Sequence, residues 1–141
     1  MYCQVVNEST CQEIAIKIVK KKEMGTVIYF EDLEIWKSSR VLAREVYADF
    51  KKNTDVGFKN QIQRCAVSVM NNIAEGFSRK GDRELHQFLN IARASCGELK
   101  SMYYLSEDID YVNREIAIQR RASATKLMNG IAKLMKYLRK E

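Results

Sequence analysis

Between positions 64 and 79 the chain gathers polar side chains of unlike chemistry at helical spacing: Arg64, Ser68, Asn71, Asn72, Glu75 and Arg79. At about 100° per residue all six fall within a narrow arc of one helix. Such a set can hold a hydrogen-bonded network, or it can simply face water. Solvated helix faces are usually rich in Lys and Glu, whereas Ser and Asn are poor helix formers that need a reason to be there. Two readings follow: a solvated surface, or a network packed against another helix or subunit.

Catalytic chemistry finds little to work with. The single histidine, His86, lies downstream of Arg79 at the Arg-x(4 to 6)-His spacing of a helical ribonuclease. However, Gly81 interrupts the stretch, and Lys80 replaces the polar residue usual after the arginine. A di-iron bundle needs Glu-x-x-His on two helices, and here Arg83 stands three residues before His86. Gly-rich phosphate loops, G-x-S-x-G and metal-ligand clusters are all missing. The expectation is a non-enzyme with no catalytic residue, no metal and no cofactor, the remote alternative being a ribonuclease that uses Arg79 and His86.

The four cysteines, Cys3, Cys11, Cys65 and Cys96, form no C-x-x-C. Cys65 and Cys96 fall on the apolar sides of helical segments, where a thiol acts as a small buried hydrophobe.

Positive charge is placed unevenly. The formal net charge is +6; residues 1–23 hold 4 basic and 3 acidic side chains, residues 24–110 hold 12 and 13, and residues 111–141 hold 8 and 2, so the surplus belongs to the last segment. There Lys126, Lys133, Lys136 and Lys140 share one side of a helix, with Arg114, Arg121 and Arg139 on the flank. A stripe of this kind suits a phosphate backbone, and repetition of it around an oligomer would strengthen the field. A solvated face is the plain alternative. No aromatic residue interleaves the stripe, so base-specific or stacking recognition is not expected from it.

These groups are positioned by helices. Proline is absent and only 6 glycines occur, so little interrupts helical structure. Apolar spacing predicts four helices. The first runs from Asp32 to about Lys52, with Leu33, Trp36, Ala43, Val46, Tyr47 and Phe50 on its packed side. The second runs from about Phe58 to Phe77, with Phe58, Ile62, Ala66, Val69 and Ile73. The third, Asp82 to about Asp108, carries Leu85, Leu89, Ala92, Cys96, Leu99 and Tyr103 in steps of four and three, as bundle helices do. The fourth, about Asn113 to Arg139, packs Ile116, Ser123, Leu127, Ile131, Leu134 and Leu138. Short links between long helices predict an all-α, antiparallel, up-down-up-down bundle. No apolar run approaches a membrane span of about 18 residues, and no secretory signal is visible, so a cytoplasmic protein is expected.

The run Gln61-Ile62-Gln63-Arg64-Cys65-Ala66-Val67-Ser68-Val69-Met70-Asn71-Asn72-Ile73-Ala74-Glu75-Gly76-Phe77-Ser78-Arg79 resembles the signature of the four-helix bundle family encoded in intervening sequences of bacterial large-subunit (23S) rRNA genes. Phe30-Glu31-Asp32-Leu33-Glu34-Ile35-Trp36 resembles the family's opening, and the stretch from Glu84 to Leu99 its third helix. The resemblance spans about Phe30 to Leu138. Gly81 departs from the Ser or Thr usual at that helix's cap.

The resemblance implies a left-handed bundle that assembles into a ring, usually a homopentamer, without established catalysis. A related branch serves as accessory protein of diversity-generating retroelements, where a basic barrel binds nucleic acid and a reverse transcriptase. The family's polar signature falls on Arg64, Ser68, Asn72, Glu75, Ser95 and Glu98, read here as structural or interfacial. The resulting expectation is a homo-oligomer that binds RNA or DNA non-specifically through Arg114, Arg121, Lys126, Lys133, Lys136, Arg139 and Lys140. The alternative is a protein-binding scaffold or accessory subunit. Residues 1–26 are expected to be an extension outside the bundle domain of residues 27–141, with Met24 as an alternative start.

Overall fold

The computed structural model describes residues 29–139. The extension expected over residues 1–26 lies outside the described residues, as does Lys140. A 3-10 turn, Phe30–Asp32, leads into four α-helices: α1 (Glu34–Asp49), α2 (Val56–Ser78), α3 (Asp82–Asp108) and α4 (Arg114–Arg139). Strands are absent among the described residues. The helices enclose one core, whose largest fully buried side chains include Tyr103, Phe50, Leu33, Ile62, Ile73, Leu89 and Leu134.

Local chemistry sets the ends of these helices. Leu33 is extended (φ −72°, ψ 124°) and fully buried, so the chain enters the core before it can coil and α1 starts at Glu34, later than spacing alone predicts. After α1, the Asn53 side chain accepts the Asp55 N–H at 2.8 Å, and the Asp55 carboxylate caps α2 by accepting the Phe58 N–H at 3.1 Å. Gly81 caps α3 through backbone conformation alone, as its lack of a side chain requires.

The third helix ends in a Schellman motif. Tyr111 N–H reaches the Ser106 carbonyl at 2.9 Å and Asp110 N–H the Glu107 carbonyl at 3.2 Å. Asp110 occupies the left-handed position that glycine usually fills, with φ 59°. Asn113 then accepts the Ile116 N–H at 2.8 Å and opens α4.

The predicted seam of α3 is buried in full, and so is that of α2 apart from the half-buried Phe58. Two residues depart from expectation. Tyr47 of α1 is 46% exposed, and Ser123 of α4 faces solvent while Ala117 and Ala124 take the packed positions. The alanines allow a close approach of α4 to α3, and the Cys96 thiol donates to the Ala124 carbonyl at 3.3 Å. Gly76 does the same between α2 and α3: a Cβ built there would lie 2.6 Å from Phe88 Cβ and 3.2 Å from Leu85 Cδ1.

Aromatic rings and ions gather at one end. Phe50 packs against Phe58 and Tyr103, with ring centroids 5.6 and 5.8 Å apart, and Phe58 meets Tyr111 edge-on at 5.2 Å. Tyr111 Oη donates to Asp55 at 2.7 Å, tying the α3–α4 link to the α1–α2 link. This bond holds the Asp55 carboxyl below the ordinary carboxylate range, with the Phe58 N–H adding to the effect, and it raises the Tyr111 phenol.

Candidate functional site

The polar stripe of α2 divides into groups with different partners. At its middle, Ser68 Oγ and Ser95 Oγ of α3 lie 2.8 Å apart, and the Asn72 amide donates to both the Ser68 carbonyl (2.8 Å) and its hydroxyl (3.0 Å). All three side chains are half-buried: the two serines bridge α2 and α3, and Asn72 supports Ser68 from within α2. Glu98 accepts from Gln61 across the same seam at 2.6 Å, on the exposed side. Glu75 pairs with Arg79 one turn later at 2.6 Å, where both side chains are about half exposed, and Glu84 approaches the same guanidinium at 4.0 Å. Arg64 joins none of these clusters. It opens toward α1, beside Tyr47.

Arg79 and His86 do not converge. The Arg79 guanidinium lies 5.2 Å from the centre of the Phe88 ring. Phe88 and His86 are two residues apart, about 200° around α3, so the imidazole sits on the far side of the helix. His86 Nε2 is buried and has no hydrogen-bond partner among the described residues. Among those residues, too, no group of three His, Cys, Asp or Glu side chains is placed to hold a metal ion.

Two cysteines sit where their helical positions suggested, both buried and unpaired. Burial pushes the Cys65 thiol up to about 12, with neighbouring Glu98 adding to the shift, and burial likewise pushes Cys96 up to about 12. Thiols so disfavoured as thiolates are poor nucleophiles and poor metal ligands.

On α4 the basic residues fall into two sets. Arg114, Lys126, Lys133, Lys136 and Arg139 are exposed, and none has an ion pair among the described residues. Arg121 instead turns inward along α3, with a 3.1 Å ion pair to Glu107 and its guanidinium 4.1 Å from the centre of the Tyr104 ring. Its charge is therefore partly engaged within the fold.

One cluster was not foreseen from the sequence. Arg120 donates to both oxygens of Asp49, at 2.7 and 2.9 Å, and lies 3.1 Å from Glu45. Tyr103 Oη donates to the same Asp49 at 2.7 Å. The Asp49 hydrogen bonds hold the Arg120 guanidinium above its ordinary value, while burial, aided by Asp49, raises the Tyr103 phenol. The cluster joins α1, α3 and α4. The only hint in the sequence was a second arginine beside Arg121, with partners far away along the chain.

Within this frame, residues 31–133 match the family model described as 23S rRNA-intervening sequence protein. The chain belongs to that family. The matched span takes in the 3-10 turn except Phe30, α1 to α3 and most of α4, so it covers the Ser68–Asn72–Ser95 cluster and the Asp49–Arg120 pair alike. No curated protein matches the chain. No described helix of this family member is long and apolar enough to cross a membrane.

Proposed function

We propose that the protein is a non-catalytic, cytoplasmic, homo-oligomeric helical bundle that binds RNA or DNA non-specifically through α4. The observation that carries this reading is the set of exposed cations on that helix: Arg114, Lys126, Lys133, Lys136 and Arg139 have no ion-pair partner among the described residues. Unpaired cations along one helix fit the spaced charges of a phosphate backbone, and each contact releases condensed counterions. Arg121 flanks the stripe, and Lys140 extends it in sequence.

The bundle runs up-down-up-down and antiparallel, with a left-handed twist. The order of contacts supports the antiparallel course: Gln61 meets Glu98, Ser68 meets Ser95 and Gly76 meets Leu85, while Glu107 meets Arg121 and Cys96 meets Ala124. Copies assemble into a ring of five. In support, Leu105 of α3 and Ile109, the residue that closes this helix, are 48% and 42% exposed one turn apart, with Ile91 (48%) further along the same side. Arg64, Glu75 and Glu98 border the helix faces left for a neighbour. A reverse transcriptase, as in the retroelement branch, is the protein partner that such a ring would take.

The test is binding of mixed-sequence RNA and DNA at rising salt, together with light scattering. With four or five phosphate contacts per subunit, log affinity should fall against log salt with a slope of about −4. Replacement of Lys126, Lys133 and Lys136 by Glu should abolish binding while the oligomer mass stays the same. Undetectable binding at low salt, or a monomer mass at micromolar concentration, would each remove its half of the proposal.

A further inference from the structure

We infer that an open groove between α1 and α2 holds one unpaired nucleotide of a single strand, with its base against Tyr47 and its phosphate on Arg64. The groove is separate from the basic face of α4 and has a volume of about 520 Å³, within the roughly 300–1,000 Å³ of small-molecule sites. Tyr47 contributes the α1 wall; Asn60, Gln63, Arg64, Val67 and Asn71 contribute the α2 wall.

The lining is the chemistry a nucleotide needs. Tyr47 presents a half-exposed ring that packs on no other ring among the described residues, an available stacking surface. The Asn60, Gln63 and Asn71 amides have both donors and acceptors, as base edges require. Arg64 is the only charged residue in the lining, so the site favours an anion and no carboxylate opposes it.

Helix propensity sharpens the point. Asparagine costs a helix several tenths of a kcal/mol relative to alanine. Asn72 recovers that cost inside the fold, through Ser68. Asn60 and Asn71 make no hydrogen bond to the described residues, so the fold gives no return for having them on this face. A bound base would.

A duplex keeps its base faces stacked and its Watson–Crick edges paired, so it offers no base to lie on Tyr47, and the site selects single strands. That selectivity adds to the α4 reading and rests on it for overall affinity. The experiment compares fluorescently labelled oligo(U) with the oligo(U)·oligo(A) duplex of equal length, by anisotropy at low salt. The wild type should bind the single strand about tenfold more tightly, in line with the strength of base–aromatic stacking. Tyr47→Ala and Arg64→Ala, both at exposed positions, should each erase most of that preference and leave duplex affinity unchanged. Reversal of charge at Lys126, Lys133 and Lys136 should weaken both probes alike.

If Tyr47→Ala leaves oligo(U) affinity intact while the α4 variant loses it, the groove inference fails and the α4 reading stands. If the wild type binds neither probe, the α4 reading fails, and 5′-uridine monophosphate followed by NMR at the Asn60 and Asn71 side-chain amides decides the groove: shifts support it, and their absence overturns it. A drop in oligomer mass on Tyr47→Ala would mean that a second copy of the chain covers the groove, which also overturns it.

Discussion

Replacement of Arg120 by methionine isolates the value of the ionic cluster that joins α1, α3 and α4. The substitution keeps most of the side chain's volume but removes two hydrogen bonds to Asp49 and the ion pair to Glu45. The Asp49 side chain is only 6% exposed, so its carboxylate stays in the interior with Tyr103 Oη as its remaining donor. Loss of one partner from a fully buried pair costs about 3–5 kcal/mol. Here Arg120 retains 15% exposure, Glu45 lies near the surface at 35%, and Tyr103 still satisfies one lone pair. A loss of about 2–3 kcal/mol follows once solvent screening is allowed for. With a urea slope of about 2 kcal/mol per molar for a domain of this size, the midpoint should fall by about 1–1.5 M. The double variant Asp49→Asn/Arg120→Met should be less unstable than the two single losses added together, because the stranded charge is gone. A midpoint shift below about 0.3 M for Arg120→Met, or strict additivity in the double variant, would refute the assignment of this cluster as an ionic tie.

Gly76→Ala should destabilise by about 1–2 kcal/mol in the same urea assay: the helix gains about 1 kcal/mol of propensity, but the new methyl must displace Phe88 Cβ, a backbone-anchored atom 2.6 Å away. Asp110→Gly should raise stability by about 0.5–1 kcal/mol, because glycine adopts φ 59° without the penalty an L side chain incurs; a loss would show that the Asp110 side chain contributes something the turn geometry does not reveal. The thiols give a pH dependence on the alkaline side. Their folded pKa values stand at about 12 against an ordinary 9.0, so their contribution is complete below pH 9 and is lost as pH rises from there toward 12, where unfolded thiols ionise and buried ones do not. Between pH 8 and 10 the fall in unfolding free energy should be about 1–1.5 kcal/mol smaller in Cys96→Ala than in the wild type, and equal slopes would count against burial as the cause.

How much of this was legible depended on whether the signal was local. The seam of α3 could be read because Leu85 to Tyr103 repeat in fours and threes on a helix whose ends, Asp82 and Asp108, lie at clear breaks in that pattern. On α4 the same reasoning chose Ser123, one position away from the buried Ala124, since alanine carries little hydrophobic weight although it permits the closest packing. Asp110 gave no sign of the left-handed turn that follows α3, because the Schellman motif usually announces itself with glycine. The stripe of α2 was visible as a stripe, but its division was not: Ser68 turns to Ser95 on α3 with Asn72 behind it, whereas Arg64 opens beside Tyr47 of α1, and both of those neighbours lie on another helix. Arg120 was missed for the same reason. Its carboxylate partner Asp49 is 71 positions away, beyond any periodicity that a single helix can display.

The crowding of Phe50, Phe58, Tyr103 and Tyr111 at one end, beside the Asp49–Arg120 and Asp55–Tyr111 bonds, gives the bundle a direction in which it comes apart. Three helices and both outer links are cross-braced there, so local opening starts from the other end, where the last turns of α4 lie. Partial opening follows the weakest cooperative unit. Amide protons of Ile116 to Arg120 should therefore outlast those of Leu134 to Leu138 in hydrogen exchange. The half of α4 that carries Lys133 and Lys136 is thus the half with freedom to adjust, so under the proposed nucleic-acid binding these cations would follow an uneven phosphate path while the braced end keeps its shape.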